Sequence, residues 1–160
     1  SRPSDPGDAL LQRRIKFFFN FIGINLKEVL STNLVFVRSP TLEEFHLSWD
    51  DAADKCWEIH KILLSVVKPD IVIAYGSEAN EYIKKKINVT RENSYEVVSI
   101  NESKFFSIIE GEMSIDSFDK NVKLISIPHL SRYKINAKGS QFGDAYDTRP
   151  ALDWIKKKIS

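Results

Sequence analysis

The chain of 160 residues is 42% hydrophobic and has a formal net charge of +1. This length and apolar content predict a single domain over residues 1–160 with a substantial core, and exclude two ordinary domains. The near-zero net charge excludes a bulk attraction of the whole chain to nucleic acid, so a basic site must be a local patch.

The sequence shows no apolar segment long enough to span a bilayer and no secretory signal, so we expect no membrane partner. Cys56 is the only cysteine, which excludes an internal disulfide and an all-cysteine metal cage. A single thiol suits a reducing compartment, and we expect a cytoplasmic protein.

The first third of the chain predicts a helix, a short helical turn and a buried strand. Apolar residues recur at helical spacing over 8–22, with Asp8 as a cap and Gly23 as the end. Residues 25–28 suit the cap of a short second helix. Residues 29–37, "VLSTNLVFV", are rich in β-branched and apolar side chains, which predicts a buried strand.

The middle of the chain predicts a helix, a strand and a second helix in succession. Ser48 is a suitable N-cap for an amphipathic helix that Pro69 ends. Residues 70–76, "DIVIAYG", predict a buried strand, and Ser77 opens the helix that follows.

The last third is predicted less fully. Residues 88–121 suit either a hairpin or a meander, with Gly111 in a turn. Residues 122–127 predict a third buried strand, and Pro150 occupies the first turn of a closing helix. The alternation of apolar strands and amphipathic helices predicts an α/β domain with a mainly parallel sheet.

His129 directly follows the third predicted strand, and ligands bind at the carboxyl ends of strands in open parallel sheets. The ordinary explanation is a histidine that ends a strand. The functional one rests on its neighbours, because Ser131, Arg132 and Tyr133 supply phosphate donors and a stacking ring.

Gly76 and Ser77 join a strand to a helix N-terminus, where free N–H groups and the helix dipole favour an anion. An ordinary capped helix is the competing explanation. Asn33 interrupts an apolar run, so its amide either bonds to neighbouring backbone or faces a pocket.

The remaining polar residues carry weaker signals. His60 lies on an apolar helix face and suits a core histidine, and no His, Asp or Glu cluster has metal-ligand spacing. The lysine triplets 84–86 and 156–158 suit solvated helix faces, with DNA contact as the alternative.

Three segments, in this order, resemble motifs of the uracil-DNA glycosylase superfamily. They are "VLSTNLVFVRSP", "CWEIHKILLSVVKPDIVIAYGSEA" and "IPHLSRY". The first two are similar to a strand and a helix–strand unit of the thermostable class, and "YGSEA" matches the W-G-S-Y-A of the classical enzymes. The third resembles the family's H-P-S motif. The likeness covers roughly residues 8–87 and 122–135.

The resemblance implies a three-layer α/β/α domain with roles for specific residues. Asn33 would read the edge of a flipped uracil, and His129 would stabilise the anionic leaving base. Gly76, Ser77 and Ser131 would hold DNA phosphates. The gap in the duplex would be filled or propped by Leu130, Arg132 or Tyr133.

This sequence also departs from the family pattern. Leu130 replaces the proline that follows the histidine, and Cys56 alone cannot hold an iron–sulfur cluster, so no metal or cofactor is expected. Nothing in the chain matches the family's first strand and its water-activating loop. We expect that strand to have been removed from this chain, since a sheet without it would expose apolar edges.

The resemblance predicts a DNA glycosylase of base-excision repair, a hydrolase that flips uracil or a related damaged base out of DNA. The first alternative is an inactive relative that binds DNA or a nucleobase. The second is an unrelated α/β domain that binds a phosphorylated small molecule at Gly76 and Ser77.

Overall fold

The computed structural model describes residues 9–36, 48–86, 88–98, 104–114, 122–131 and 148–160. Over these residues the chain is a mixed α/β domain with four α-helices, a short 3₁₀ helix and a four-stranded sheet. The predicted α/β class is therefore confirmed, whereas the predicted character of the sheet is not.

Helix α1, Leu10–Ile22, forms as its periodicity predicts and ends at Gly23, whose φ of 82° gives a left-handed C-cap. The proposed cap Asp8 lies outside the described residues. The 3₁₀ helix Leu26–Glu28 follows, and the side chain of Asn25 accepts a hydrogen bond from the backbone N–H of Lys27. Both helix boundaries follow from local hydrogen bonding.

Helix α2, Trp49–Val67, begins at the predicted N-cap, where the Ser48 hydroxyl accepts from the backbone N–H of Asp51. It ends at Lys68 in a left-handed conformation, directly before Pro69. Helix α3, Ser77–Lys86, follows Gly76, and the closing helix α4, Arg149–Ile159, carries Pro150 in its first turn.

The sheet has the order β1-β4-β3-β2. Its strands are β1 (Ile71–Tyr75), β2 (Asn88–Val98), β3 (Lys104–Ser114) and β4 (Val122–Ile127). Strands β1 and β4 pair in parallel, whereas β2/β3 and β3/β4 are antiparallel. The prediction of a mainly parallel sheet is wrong for the described strands, because only one of their three pairings is parallel.

The region predicted as a hairpin or meander continues the sheet as a meander. β2 and β3 form a hairpin, and β3 then pairs with β4. Gly111 lies within β3, opposite Leu124, so its predicted place in a turn is wrong.

Residues 29–36 are the second departure from the prediction. They form no strand, and Leu30, Asn33 and Phe36 are exposed. The end of this segment lies against α2 instead, where the backbone N–H of Phe36 donates to Cys56 Sγ at 3.4 Å. A β-branched apolar segment forms a strand only when it can pair with a sheet edge. Here the segment packs against helix α2 instead. Val37, the last residue of the predicted strand, lies outside the described residues.

Among the described residues, the core has two clusters that use alternate residues of β1 and β4. Ile125 and Ile127 pack with Phe18 of α1 and Leu152 of α4, and Ile71, Ile73 and Tyr75 border this cluster. Val122, Leu124 and Ala74 form the second cluster with Trp57 of α2 and Ile83 of α3. Because successive side chains of a strand point to opposite faces, α1 and α4 pack on one face and α2 and α3 on the other.

The α2/α3 pair is joined by a polar contact beside Trp49 and Trp57. The buried Tyr82 hydroxyl donates to Asp54 Oδ1 at 2.5 Å, and Lys86 Nζ lies 2.8 Å from the same carboxylate oxygen. Hydrogen bonds lower the pKa of Asp54, with the bond from Lys86 contributing most and the bond from Tyr82 next. The pKa of Tyr82 is raised, mainly by burial and then by its hydrogen bond to the Asp54 carboxylate.

None of the described helices is both long and apolar enough to cross a bilayer.

Candidate functional site

The carboxyl ends of β1 and β4 lie side by side and bring two predicted site segments together. Tyr75 pairs with Ile127, and the backbone N–H of Gly76 donates to the Ile127 carbonyl oxygen at 2.9 Å. The chain then turns into α3 after β1, and into residues 128–131 after β4. We call the surface formed by Gly76, Ser77, Glu78, His129 and Ser131 the His129 corner.

Gly76 occupies a position that suits glycine for its backbone conformation. Its φ is 92°, a region that L side chains rarely adopt. A Cβ built there would lie 3.5 Å from His129 Cβ and 3.6 Å from His129 Cδ2, which are ordinary contact distances. The strand-to-helix turn therefore lies directly against the imidazole.

His129 is exposed, and one of its two ring nitrogens is engaged by Ser131. The Nδ1 atom lies 2.6 Å from Ser131 Oγ and accepts from the backbone N–H of Ser131 at 3.2 Å. Because a backbone N–H can only donate, Nδ1 acts as an acceptor and the ring proton of a neutral imidazole lies on Nε2. The histidine can thus offer an N–H donor to a ligand.

Leu130 separates the two exposed polar residues and is buried, with an exposed fraction of 1%. Its side chain belongs to the core cluster of α1 and α4. A side chain in this position cannot fill a gap in a DNA duplex, so the prediction of Leu130 as a wedge is corrected. It fixes the loop, so that His129 and Ser131 face solvent.

Arg14 on α1 holds the same loop from outside. Its Nη1 atom donates to the carbonyl oxygens of Leu130 at 2.5 Å and Ser131 at 2.9 Å. Sequence reasoning missed this residue, because one arginine on an amphipathic helix does not indicate a loop 116 residues away.

The N-terminus of α3 carries a carboxylate rather than an open anion site. The Ser77 hydroxyl donates to Glu78 Oε2 at 3.1 Å, and that oxygen lies 3.8 Å from the Cβ position built at Gly76. A negative side chain here is stabilised by the helix dipole. A phosphate would compete with Glu78 for this end of the helix, which weakens the prediction that Ser77 binds phosphate.

Asn33 is exposed and lies outside any strand, and Thr32 Oγ1 donates to its backbone carbonyl at 3.2 Å. The expectation that its amide interrupts a buried strand is therefore wrong. Among the contacts of the described residues, none joins Asn33 to the His129 corner. Arg132 and Tyr133 lie outside the described residues.

The other histidine singled out from the sequence has a structural environment. His60 is buried, its Nε2 lies 3.0 Å from the Leu34 carbonyl oxygen, and its ring stacks on Phe36 at 5.0 Å between centroids. This agrees with the interpretation of a satisfied core histidine. In the described parts of the chain, no group of three His, Cys, Asp or Glu residues could hold a metal ion.

The lysine triplet of α4 lies at the opposite end of the sheet from His129. Lys123, near the start of β4, donates to the carbonyl oxygen of Lys158. His129 follows the other end of the same strand. Because these lysines lie in the last turn of α4, their positive charges interact favourably with the helix dipole.

Tyr75, the last residue of β1, lies beneath the corner in the cluster of α1 and α4. Its burial raises the pKa of the phenol to about 12. The hydroxyl therefore stays protonated at neutral pH and is not a general base there.

Comparisons of this chain with family models, with curated protein sequences and with solved structures each gave no match.

Proposed function

We propose that the protein is a DNA glycosylase of the uracil-DNA glycosylase superfamily, which hydrolyses the N-glycosidic bond of a flipped uracil or a related damaged base. The observation that carries this proposal is the presentation of His129 at the carboxyl end of β4, against Gly76, with Nδ1 engaged by Ser131. The three motifs that resemble the family supply the rest of the argument.

The proposed reaction needs a donor for the departing base. A base inside a duplex cannot be reached, so such an enzyme first extrudes the nucleotide. As the glycosidic bond breaks, negative charge develops on the base and positive charge on the sugar. A preorganised N–H donor aimed at that negative charge lowers the barrier, and His129 Nε2 is suited to this role.

The architecture also supports the proposal. Helices pack on both faces of the β1/β4 pair, as a three-layer α/β/α domain requires, and β1 and β4 are parallel neighbours. One edge of β1 has no partner among the described strands, an arrangement compatible with one more central strand. Such a strand could carry the water-activating group of the proposed enzyme.

Ser131 and the backbone around Gly76 are the phosphate contacts of this proposal. Ser131 is exposed beside His129, and its hydroxyl donates to Nδ1 in the structure. Donation to a phosphate therefore requires this hydroxyl to turn away from the ring, while the backbone N–H of Ser131 still engages Nδ1. A phosphate at Ser77 requires Glu78 to turn away from the N-terminus of α3, so we assign Ser77 a smaller part. The proposed substrate is DNA, and the proposed reaction uses no metal or cofactor.

A protein that binds DNA or a nucleobase without cleaving is the second candidate. The exposed position of Asn33 outside any strand favours it, because the expected reader of the base is not held on the sheet beside the described strand ends. Such a protein would contact DNA through the His129 corner in the same way but would not hydrolyse the glycosidic bond.

Release of free uracil from a labelled oligonucleotide tests the proposal, with the wild-type protein compared with its His129→Ala variant. Loss of one such donor lowers kcat by roughly 10²–10³-fold. The exposed Lys55→Gln variant on α2 is the control and should release uracil like the wild type. Intact single- and double-stranded substrate at enzyme excess would contradict the activity on uracil, and binding without release would favour the second candidate.

A further inference from the structure

The two helix layers of the described fold differ strongly in charge. Helix α1, the 3₁₀ helix and α4 together contain eight Lys or Arg residues and only two carboxylates, Glu28 and Asp153. Helices α2 and α3 on the other face contain five Lys or Arg residues and six Asp or Glu residues. Among the described helices, the excess of positive charge therefore lies on the α1/α4 layer.

Exposed cations of the α1/α4 layer lie on two helices that contact each other. Arg13 and Lys16 are exposed on α1, and Lys156 and Lys157 are exposed on α4. Lys156 Nζ lies 5.9 Å from the centroid of the Phe21 ring, so the end of α4 meets the end of α1. We call these four exposed cations, on two helices that pack together, the basic layer.

Helix stabilisation does not explain the whole basic layer. Lysines in the last turn of α4 benefit from the helix dipole, but the last turn of α1 has no basic residue, and Arg13 and Lys16 lie nearer its start. Ordinary protein surfaces intersperse both signs of charge, whereas a face of one sign attracts an oppositely charged partner. Helix α1 contains no acidic residue at all.

The basic layer is continuous with the His129 corner. Arg14, next to Arg13, holds the carbonyl oxygens of Leu130 and Ser131, so the start of α1 touches the loop of His129. The end of α4 lies at the far end of β4. A linear polyanion bound along α1 would therefore lead from the α4 lysines to the corner.

We propose that the basic layer binds the phosphate backbone of DNA next to the nucleotide held at the His129 corner. This rests on the proposed function for the identity of the corner's ligand, but backbone binding does not require any base to be released. Lysine and arginine neutralise phosphates without reading sequence, so the layer should bind undamaged DNA equally well.

Fluorescence anisotropy with an undamaged duplex oligonucleotide tests the proposal at about 50 to 200 mM salt. The variant carries glutamine at Arg13, Lys16, Lys156 and Lys157. Each lost phosphate contact lowers the slope of log Kobs against log salt by about 0.9, so we expect the slope to fall by about two to four. The control neutralises four lysines of the other helix layer and its end: Lys55, Lys61, Lys68 and Lys85.

The control should retain the wild-type salt slope, and unchanged circular dichroism in both variants establishes that they fold. An equal loss in the two variants would overturn the proposal, since the effect would then be net charge alone. Failure of the wild type to bind undamaged DNA would also overturn it, as would binding confined to anionic vesicles. Uracil release is measured separately: DNA binding without release rejects the glycosylase alone, whereas release with an unchanged Kd in the variant rejects the basic layer alone.

Discussion

The guanidinium of Arg14 donates to the carbonyl oxygen of Leu130, which ties helix α1 to the loop that presents His129. The same Nη1 atom also reaches the carbonyl oxygen of Ser131. Below these bonds, the Leu130 side chain is fixed in the core. The orientation of His129 thus depends on a residue that touches neither its ring nor the proposed ligand.

Replacement of Arg14 by glutamine should slow uracil release through the position of His129. The bond to the Leu130 carbonyl is part-buried, and a buried acceptor that loses its donor typically costs about 1–3 kcal/mol. The bond to the Ser131 carbonyl is exposed, so water can replace it and the cost arises mainly at Leu130. We expect kcat to fall about tenfold or more. Arg14→Lys should recover part of the rate, because one ammonium can still donate to these carbonyls. Single-turnover kinetics at saturating DNA measure this, and a change in KM alone would contradict it.

A substitution at Leu130 distinguishes two roles for its side chain, anchoring the His129 loop in the core and inserting into the DNA duplex. Leu130→Ala should lower the free energy of unfolding by about 2–5 kcal/mol, the usual cost of a cavity at a buried leucine. Leu10→Ala is the matched control, because Leu10 is 55% exposed and should lose little. Urea denaturation measures both variants. An unchanged stability of Leu130→Ala, with weaker DNA binding, would restore the wedge hypothesis.

Substitutions at Gly76 and Gly23 can separate the effect of backbone strain on stability from the effect of the turn on the position of His129. Both have positive φ, 92° and 82° respectively, and only Gly76 has His129 beside its Cβ position. Alanine at either position should destabilise the fold by about 1–2 kcal/mol. Only Gly76→Ala should reduce uracil release, because relief of its strain shifts the turn that contacts His129.

Thermal unfolding and base release of the two glycine variants check this prediction. Equal effects of both variants on release, after correction for the folded fraction, would mean that Gly76 has no particular relation to the site.

Asp54 should give the fold a pH dependence at the α2/α3 contact. Its pKa is lowered from 3.8 in the folded protein, so the ionised carboxylate stabilises the fold above 3.8. This contribution is lost as the pH falls from 3.8 through the lowered folded value. Asp54→Asn should therefore be less stable than the wild type at pH 7, with a difference that shrinks below pH 3.8.

Urea denaturation at pH 7, 5 and 3 measures the Asp54 contribution. Asp51→Asn is a control on the first turn of the same helix. A constant difference between Asp54→Asn and the wild type across this range would show that the carboxylate does not titrate differently in the two states.

Local sequence signals predicted the elements that bring Gly76 and His129 together. Ser48 and Pro69 delimit α2 through a side-chain cap and a missing N–H, which need no tertiary context. The strand 70–76 and the strand 122–127 were identified because runs of apolar residues bury both faces. The rule that ligands bind at the carboxyl ends of parallel strands directed attention to both strand ends, and the structure shows that these strands are neighbours.

The sheet directions and the segment 29–36 lay beyond such signals. The apolar pattern of β4, which is buried along most of its length, is the same whether its neighbour is parallel or antiparallel, so the direction of β3 beside it could not be told from the sequence. Residues 29–36 have strand composition, but His60 and Cys56 of α2 bind their backbone. Arg14 was missed because its partners are carbonyl oxygens, which every residue has.

The position of β4 between a parallel and an antiparallel neighbour has a consequence for the order of folding. Pairing of β1 with β4 closes a loop of about fifty residues, from Ile71 to Lys123. The β2/β3 hairpin closes over only a few residues, from Val98 to Lys104, and can form earlier. We therefore expect pulse-labelled amides of the hairpin to gain protection before that of Gly76, and simultaneous protection would contradict this order. The His129 corner would then be assembled in the last steps of folding, so a partly folded chain would keep its hairpin and lack its site.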